Sequence, residues 1–156
     1  LCPRSLPNSS GNYLAELLHS AVPDPPRMIA APMLMSNDVA NIPAASKQDL
    51  LNPEILAVNS DAFNRQGWRV RNDTDGSQVW VRPLIDGSIA TVLLNGANRT
   101  CLVQASLAEI GFGQDTATVV RELFSRRDLP GFVRANGNIT ATVAPHGVAM
   151  YRISPQ

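Results

Sequence analysis

Residues 67–95, GWRVRNDTDGSQVWVRPLIDGSIATVLLN, switch the chain to a period of two. Trp68 and Val70 alternate with Arg69 and Arg71, and Val79 and Val81 with Trp80 and Arg82. Successive side chains of a strand point to opposite faces, so this alternation predicts strands. Ile89–Leu94 is apolar on both faces and reads as a central strand with a layer on each side. Asp75-Gly76 and Asp86-Gly87 lie between these segments, and Asn95-Gly96 and Asn136-Gly137 follow. Such dipeptides supply the positive φ that tight hairpin turns demand.

Residues 101–105, 117–124, 138–143 and 147–153 extend the pattern to about seven strands. The fold expected is mainly β: an antiparallel β-sandwich of Greek-key type over residues 66–156. Upstream, the period lengthens. Asn52-Pro53-Glu54 places an N-cap, a proline at the first helical position and an acid in the first turn. Ser46 before Lys47-Gln48-Asp49 reads as an acidic variant of a capping box. Leu50, Leu51, Ile55 and Leu56 supply an apolar face, and helix should end near Asn59. Residues 28–36, MIAAPMLMS, read as a buried strand that starts after Pro32. Residues 1–27 read as irregular, interrupted by Pro3, Pro7, Pro23, Pro25 and Pro26. Only Asn12–Val22 there keeps a short helical pattern.

The bulk numbers narrow the classes. A chain of 156 residues can form one domain that buries roughly 70% of its unfolded surface. It falls short of the ~200 residues that a (β/α)8 barrel needs at minimum. Thirteen basic residues balance thirteen acidic ones, which argues against nucleic acid or an anionic membrane as the main partner. No apolar run of about 20 residues predicts a transmembrane helix. The first residue is Leu1 rather than Met, which fits a fragment or a processed chain. Four N-x-[ST] sequons, at Asn8, Asn72, Asn98 and Asn138, favour a secretory route and mark candidate glycosylation sites. Cys2 and Cys101 define no framework, and a pair and two free thiols both remain open.

Few residues suggest chemistry of their own. Asp73-Thr74-Asp75-Gly76 resembles part of a calcium loop, but the further ligands and terminal Glu are missing, so it reads as a hairpin turn. His19 and His146 are the two imidazoles, with no Cys/His spacing for zinc, and no G-x-S-x-G elbow supports a serine triad. His146, in Pro145-His146-Gly147, reads as a structural residue hydrogen-bonded in a turn. No metal and no cofactor are expected. Trp80 faces away from Val79 and Val81; a sugar platform is one reading, cover over a second apolar face the other. Four Phe, two Trp and two Tyr are few for a carbohydrate-binding surface.

Residues 30–60, AAPMLMSNDVANIPAASKQDLLNPEILAVNS, resemble the end of the catalytic barrel in the α-galactosidases of glycoside hydrolase family twenty-seven. VWVRPLIDGSIATVLLN is similar to that family's W-x-R-P-L … D-G … A-V-x-L-x-N hairpin, and VAPHGVAMYRI to its V-x-x-H-G-x-x-L last strand. SLAEIGF and VRELF match its S-L-x-x-L-G and V-x-D-L-W segments. The chain departs at NSDAFNRQG, where the family has NQDPLGKQG. The resemblance covers about four-fifths of the chain. It implies that residues 28–65 are the terminal strand and helix of a TIM barrel and residues 66–156 the C-terminal antiparallel domain. Residues 1–27 show no resemblance.

Members of this family, with α-N-acetylgalactosaminidases as close relatives, are retaining enzymes that use two aspartates about 5–5.5 Å apart. Their nucleophile lies in a Y-x-K-x-D motif, their acid/base in W-R-x-x-x-D-I and a sugar clamp in D-P-D-M. None of the three occurs in this sequence, so no catalytic residue carries over. Asp38 follows a barrel-like strand, where catalytic residues of barrels collect, but the family keeps its carboxylates elsewhere. With Asn37 it reads as satisfying backbone groups. The resemblance implies a parent that hydrolyses terminal α-linked galactose in oligosaccharides, glycolipids or galactomannans. It further implies a secreted, lysosomal or vacuolar location and a homodimeric parent. This chain alone is expected to be an inactive scaffold domain. The alternative is a non-catalytic carbohydrate-binding β-sandwich module.

Overall fold

The computed structural model describes residues 41–113, 116–130 and 137–156. Among them, helices α1 (Ala44–Leu50) and α2 (Pro53–Asn59) precede three strands, β1 (Trp68–Asn72), β2 (Ser77–Pro83) and β3 (Ile89–Asn95). Then come β4 (Cys101–Ser106), helix α3 (Leu107–Ile110), β5 (Thr118–Glu122), β6 (Arg127–Asp128), β7 (Asn138–Val143) and β8 (Val148–Pro155). Six strands form one sheet in the order β1-β2-β3-β8-β5-β6, and β4 pairs with β7 in a second. Every pairing is antiparallel. The sandwich predicted from the period-two pattern is present. The expected central strand is central: Leu93 of β3 lies between Val79 of β2 and Ala149 of β8.

Both faces of β3 are covered, by different partners. On one face Leu93 joins Val79, Val81, Val120 and Ile153 of the large sheet with Val103 and Ile139 of the small one, which closes the sandwich core. On the other face Ala90, Val92 and Leu94 join Trp80, Leu123 and Met150 under Ile55 and Val58 of α2. The molecule is therefore layered as helix, large sheet, small sheet. The alternation along β4, which exposes Leu102 and Gln104 while burying Cys101, Val103 and Ala105, leaves the outer face of the small sheet in solvent.

Asn52 starts α2 as the sequence predicts, and does more. Its Oδ1 accepts hydrogen bonds from the amides of Glu54 (3.0 Å) and Ile55 (3.5 Å), and Pro53 fills the next position, where no donor is needed. Its Nδ2 donates to the Leu123 carbonyl at 2.7 Å. One buried side chain thus caps the helix and ties it to the sandwich. The expected end at Asn59 is correct.

Three local readings are corrected. Ser46 is not an N-cap: α1 begins two residues earlier, after Pro43, with no side-chain cap, and Ser46 is buried inside the helix. Proline's fixed φ and missing donor suit that start without a capping box. Asn95-Gly96 is not a tight hairpin turn. Asn95 ends β3 as a buried residue whose Nδ2 donates to the carbonyls of Arg99, Val143 and Ala144. Gly96 is needed for proximity rather than positive φ, since a Cβ there would lie 2.9 Å from the Gly76 carbonyl oxygen. Gly76 (φ 92°) and Gly87 (φ 79°) do take the positive φ expected. In β1 the register slips between Arg69 and Arg71, a bulge that breaks the simple alternation there, and Trp68 is left 47% exposed. A short helix that the sequence reading left unassigned, α3, lies between the strands expected at 101–105 and 117–124. The capping box of Ser106 and Glu109 starts it, and Gly111, left-handed, ends it.

The strand expected over residues 28–36, the helix over Asn12–Val22, and Asn8, His19, Asp38, Cys2 and Asn136 lie outside the described residues. Cys101 is a buried free thiol.

Replacing Asn52 with Ala removes a cap and orphans a buried carbonyl. Urea unfolding of Asn52→Ala should show a loss of about 2 kcal/mol; a change below about 0.5 kcal/mol would mean that α2 is held by packing alone. Leu93→Ala, at a position with no exposed surface, should cost about 3 kcal/mol and set the scale in the same experiment.

Candidate functional site

Among the described residues, several ionisable groups hold elements together. Arg121 of β5 forks onto Glu54 of α2, with Nε to Oε2 and Nη2 to Oε1 both at 2.7 Å, and its Nη1 donates to Asp128 of β6 at 2.9 Å. Arg71 of β1 bonds Asp73 through Nε at 2.9 Å and Glu109 of α3 through Nη1 at 2.9 Å, with Nη2 on the Gln104 carbonyl. Arg152 of β8 pairs with Asp86 in the β2–β3 turn. Asp61 accepts from the amides of Phe63 and Ile85, both at 3.0 Å, and so ties the chain after α2 to that same turn. The buried Arg82 directs Nη1 at the Asn59 carbonyl, 3.5 Å away, at the negative end of α2.

These partners set the charge states. The Arg121 hydrogen bonds hold the Glu54 carboxyl below the usual carboxylate range. The Ser77 hydroxyl and amide do the same for Asp75. At Asp86 burial pushes upward, and the Ser88 and Arg152 hydrogen bonds outweigh it. Burial raises the carboxyl of Asp49 of α1, and among the described residues no hydrogen bond links it to a second carboxyl. A retaining glycosidase needs a raised acid beside an ionised nucleophile, and no such pair is assembled here among the described residues.

The residues singled out from sequence are scattered. Asp73 and Asp75 close the β1–β2 hairpin, where the Asp73 amide donates to the Ser77 carbonyl at 2.8 Å and Asp75 Oδ1 accepts from the Ser77 amide. His146 sits in the turn before β8 at φ 54° with Nε2 2.6 Å from Asn98 Oδ1, so its ring bonds across to the β3–β4 connection rather than within its own turn. Trp80 is 6% exposed and lies in the apolar layer beneath α2; its Nε1 donates to Gln78 Oε1 at 3.0 Å, and the Arg69 guanidinium stands 5.7 Å from its ring. It covers the second face of the sheet and offers no open sugar platform. Asn72, Asn98 and Asn138 are exposed.

What sequence reading missed is a surface. Phe63 (39% exposed), Trp68 (47%) and Ile85 (62%) are large apolar side chains left in solvent in the α2–β1 connection, at the start of β1 and in the β2–β3 turn. Asp61 holds the backbone of two of them together. Leu51, between the helices, is 60% exposed. Trp68 reads as an alternating strand residue until the bulge is known. The apolar Ile85 beside a turn dipeptide was the visible signal.

The family described as "Alpha galactosidase C-terminal beta sandwich domain" matches residues 74–153, about half of the chain. The chain belongs to the α-galactosidase family. It is similar to an alpha-galactosidase of Oryza sativa subsp. japonica, 34% identical over 125 residues, which cover 80% of this chain and 29% of that protein. It is also similar to an alpha-N-acetylgalactosaminidase of Gallus gallus, 30% identical over 132 residues, 83% of this chain and 32% of the relative. Among solved structures, alpha-galactosidase I from Mortierella vinacea superposes with a TM-score of 0.72 at 25% identity, over 80% of this chain and 32% of that one. The fold is shared by a β-L-arabinopyranosidase of the same glycoside hydrolase family from Geobacillus stearothermophilus, at TM-score 0.65 and 21% identity, covering 81% of this chain and 27% of that chain. The chain spans less than a third of the length of the curated relatives named here. As an α-galactosidase family member it supplies the C-terminal sandwich, and its ion pairs brace that sandwich.

A depressed carboxyl stabilises the fold fully above its unfolded pKa, and that contribution disappears as pH falls through the folded one. The Glu54–Arg121 fork should therefore support α2 at neutral pH and weaken below about pH 4. In pH-resolved thermal unfolding, Glu54→Gln should be less stable than the parent chain at pH 7, and the gap should close as pH falls through the lowered pKa of the folded Glu54. A constant offset across that range would show that the pair's charge is not what matters.

Proposed function

We propose that this chain is the C-terminal scaffold domain of a retaining α-galactosidase, one that hydrolyses terminal α-linked galactose, and that it is inactive alone. The observation that carries the reading is the use of the carboxylates. Among the described residues, all but Asp49 serve as helix caps, turn locks or ion-pair partners, and no counterpart of the two-aspartate constellation of retaining glycosidases stands among them. The relatives' names support the parent activity: α-galactosidases and α-N-acetylgalactosaminidases. Between those two sugars the sandwich offers no argument, because it is common to both.

The apolar residues left in solvent support a buttressing role. Phe63, Trp68 and Ile85 flank the connection where α2 enters the sandwich, so a preceding barrel that packed there would bury them. Burial is worth roughly 1.5–3 kcal/mol for each such side chain, enough to couple the stability of two domains. The same reading places the parent in a secreted, lysosomal or vacuolar compartment. The carbohydrate-binding alternative has weaker support, since Trp80 is buried and the exposed aromatic near Trp68 in the chain, Phe63, has the Arg65 guanidinium 5.1 Å from its ring.

Purified chain assayed with an aryl α-galactoside should give no turnover above the uncatalysed rate, and Asp38→Asn should behave identically. Turnover that vanishes in Asp38→Asn would overturn the scaffold reading and make Asp38 catalytic.

A further inference from the structure

Three sequons fall within the described residues, and the scaffold role uses none of them: Asn72-Asp73-Thr74, Asn98-Arg99-Thr100 and Asn138-Ile139-Thr140. In all three the asparagine and the threonine two places on are exposed. The buried asparagines, Asn52 and Asn95, have their amide nitrogens committed to backbone carbonyls and are not sequons. An attached glycan is bulky and must stay in water, so the folded structure accommodates sugar at each sequon and excludes it at the two buried positions.

We propose that Asn72, Asn98 and Asn138 are N-glycan acceptors, and that their glycans coat the small-sheet side and one end of the sandwich while leaving the apolar end bare. The turns that carry Asn72 and Asn98 touch, since the Gly96 amide donates to the Gly76 carbonyl at 2.9 Å. Both lie at the Ser77 end of β2. Ile85 lies beyond the other end of that strand, about 20 Å away at 3.3 Å per residue. Asn138 projects from the outward face of the β4–β7 sheet with Thr140 and Thr142, while Ile139 and Val143 face the core. That outward face is separated from α2 by the whole sandwich. Leu102 is the exposed large apolar residue on the coated side.

Asn98 is held in a state that tolerates the linkage. The contact with His146 Nε2 uses Asn98 Oδ1, whereas the sugar is joined through Nδ2, so the contact survives modification. In the transfer, Nδ2 attacks the anomeric carbon of a polyprenyl-diphosphate-linked oligosaccharide. A carbon–nitrogen bond forms and the bond from that carbon to the diphosphate oxygen breaks. The amide nitrogen loses one proton, and polyprenyl diphosphate departs with the bonding electrons.

The test is secretion of the full chain from a eukaryotic host, followed by peptide N-glycosidase treatment in heavy-oxygen water and peptide mapping. The enzyme converts each released asparagine to a labelled aspartate, so occupancy is read directly on the wild-type chain. The expected result is label at Asn72, Asn98 and Asn138, with one enzyme-sensitive mass step lost in each of Asn72→Gln, Asn98→Gln and Asn138→Gln. Secreted chain at peptide mass, or label confined to Asn8, would overturn the proposal. Absence of label at any one of the three would overturn it at that position. The outcome is independent of which sugar the parent enzyme cleaves.

Discussion

The constraint on which the rest of the structure depends is that β3 is apolar on both faces. A sandwich sheet ordinarily keeps one face wet, and its strands alternate accordingly. Here Leu93 faces the small sheet while Ala90, Val92 and Leu94 face the other way, so a second cover is obligatory. Helix α2 supplies it. Trp80, Val92, Leu94 and Met150 share the buried cluster that its Ile55 and Val58 complete. At roughly 2 kcal/mol for each large side chain, exposing them would cost on the order of 8 kcal/mol. That matches the whole net stability of a typical domain, about 5–15 kcal/mol. By that comparison α2 is part of the folding unit of the sandwich, although the sequence resemblance assigns its residues to the barrel.

The polar groups around α2 then specify where it docks. The Glu54–Arg121 fork has good geometry, but both partners retain solvent contact, and such pairs contribute about 0–1 kcal/mol. Asn52 is buried, and its loss leaves a cap unmade and the Leu123 carbonyl without its donor, which costs more than breaking the exposed fork. Packing therefore provides the affinity, Asn52 fixes the register, and the ion pair trims the orientation. Arg82 adds a cation at the helix C-terminus, where the backbone carbonyls carry partial negative charge.

The parts of this fold legible in the sequence are those written in local chemistry. The cap at Asn52, the turns at Gly76 and Gly87, the two-faced β3 and the clean alternation of β4 and β7 each follow from residue type and spacing. The illegible parts depend on contacts between distant segments. Gly96 looks like a turn glycine and is instead a site where two turns approach too closely for a Cβ. Nothing near Val70 announces the bulge that leaves Trp68 in solvent. The capping box of α3, Ser106 to Glu109 with Gly111 behind it, is plain in the sequence, but it lies between two stretches that read as strands, where a four-residue helix is easily overlooked. As for the candidate site, the absence of the family's catalytic motifs was readable directly, whereas the apolar end formed by Phe63, Trp68 and Ile85 required the fold.

Charge placement explains how such a domain can be shared by enzymes named for different sugars. A specificity-determining or catalytic group must be free to meet substrate, and a general acid must be held protonated near neutral pH. Arginine forks and hydroxyl or amide donors do the reverse to Glu54, Asp75 and Asp86: they fix the carboxylates in place and favour the ionised form. Each such lock strengthens the sandwich and withdraws one group from chemistry. The α-galactosidase and the α-N-acetylgalactosaminidase that this chain resembles over about four-fifths of the chain differ in the sugars their names declare, and groups locked in this way do not distinguish those sugars. What these locks leave to the sandwich is mechanical: how firmly α2 is held in position against it.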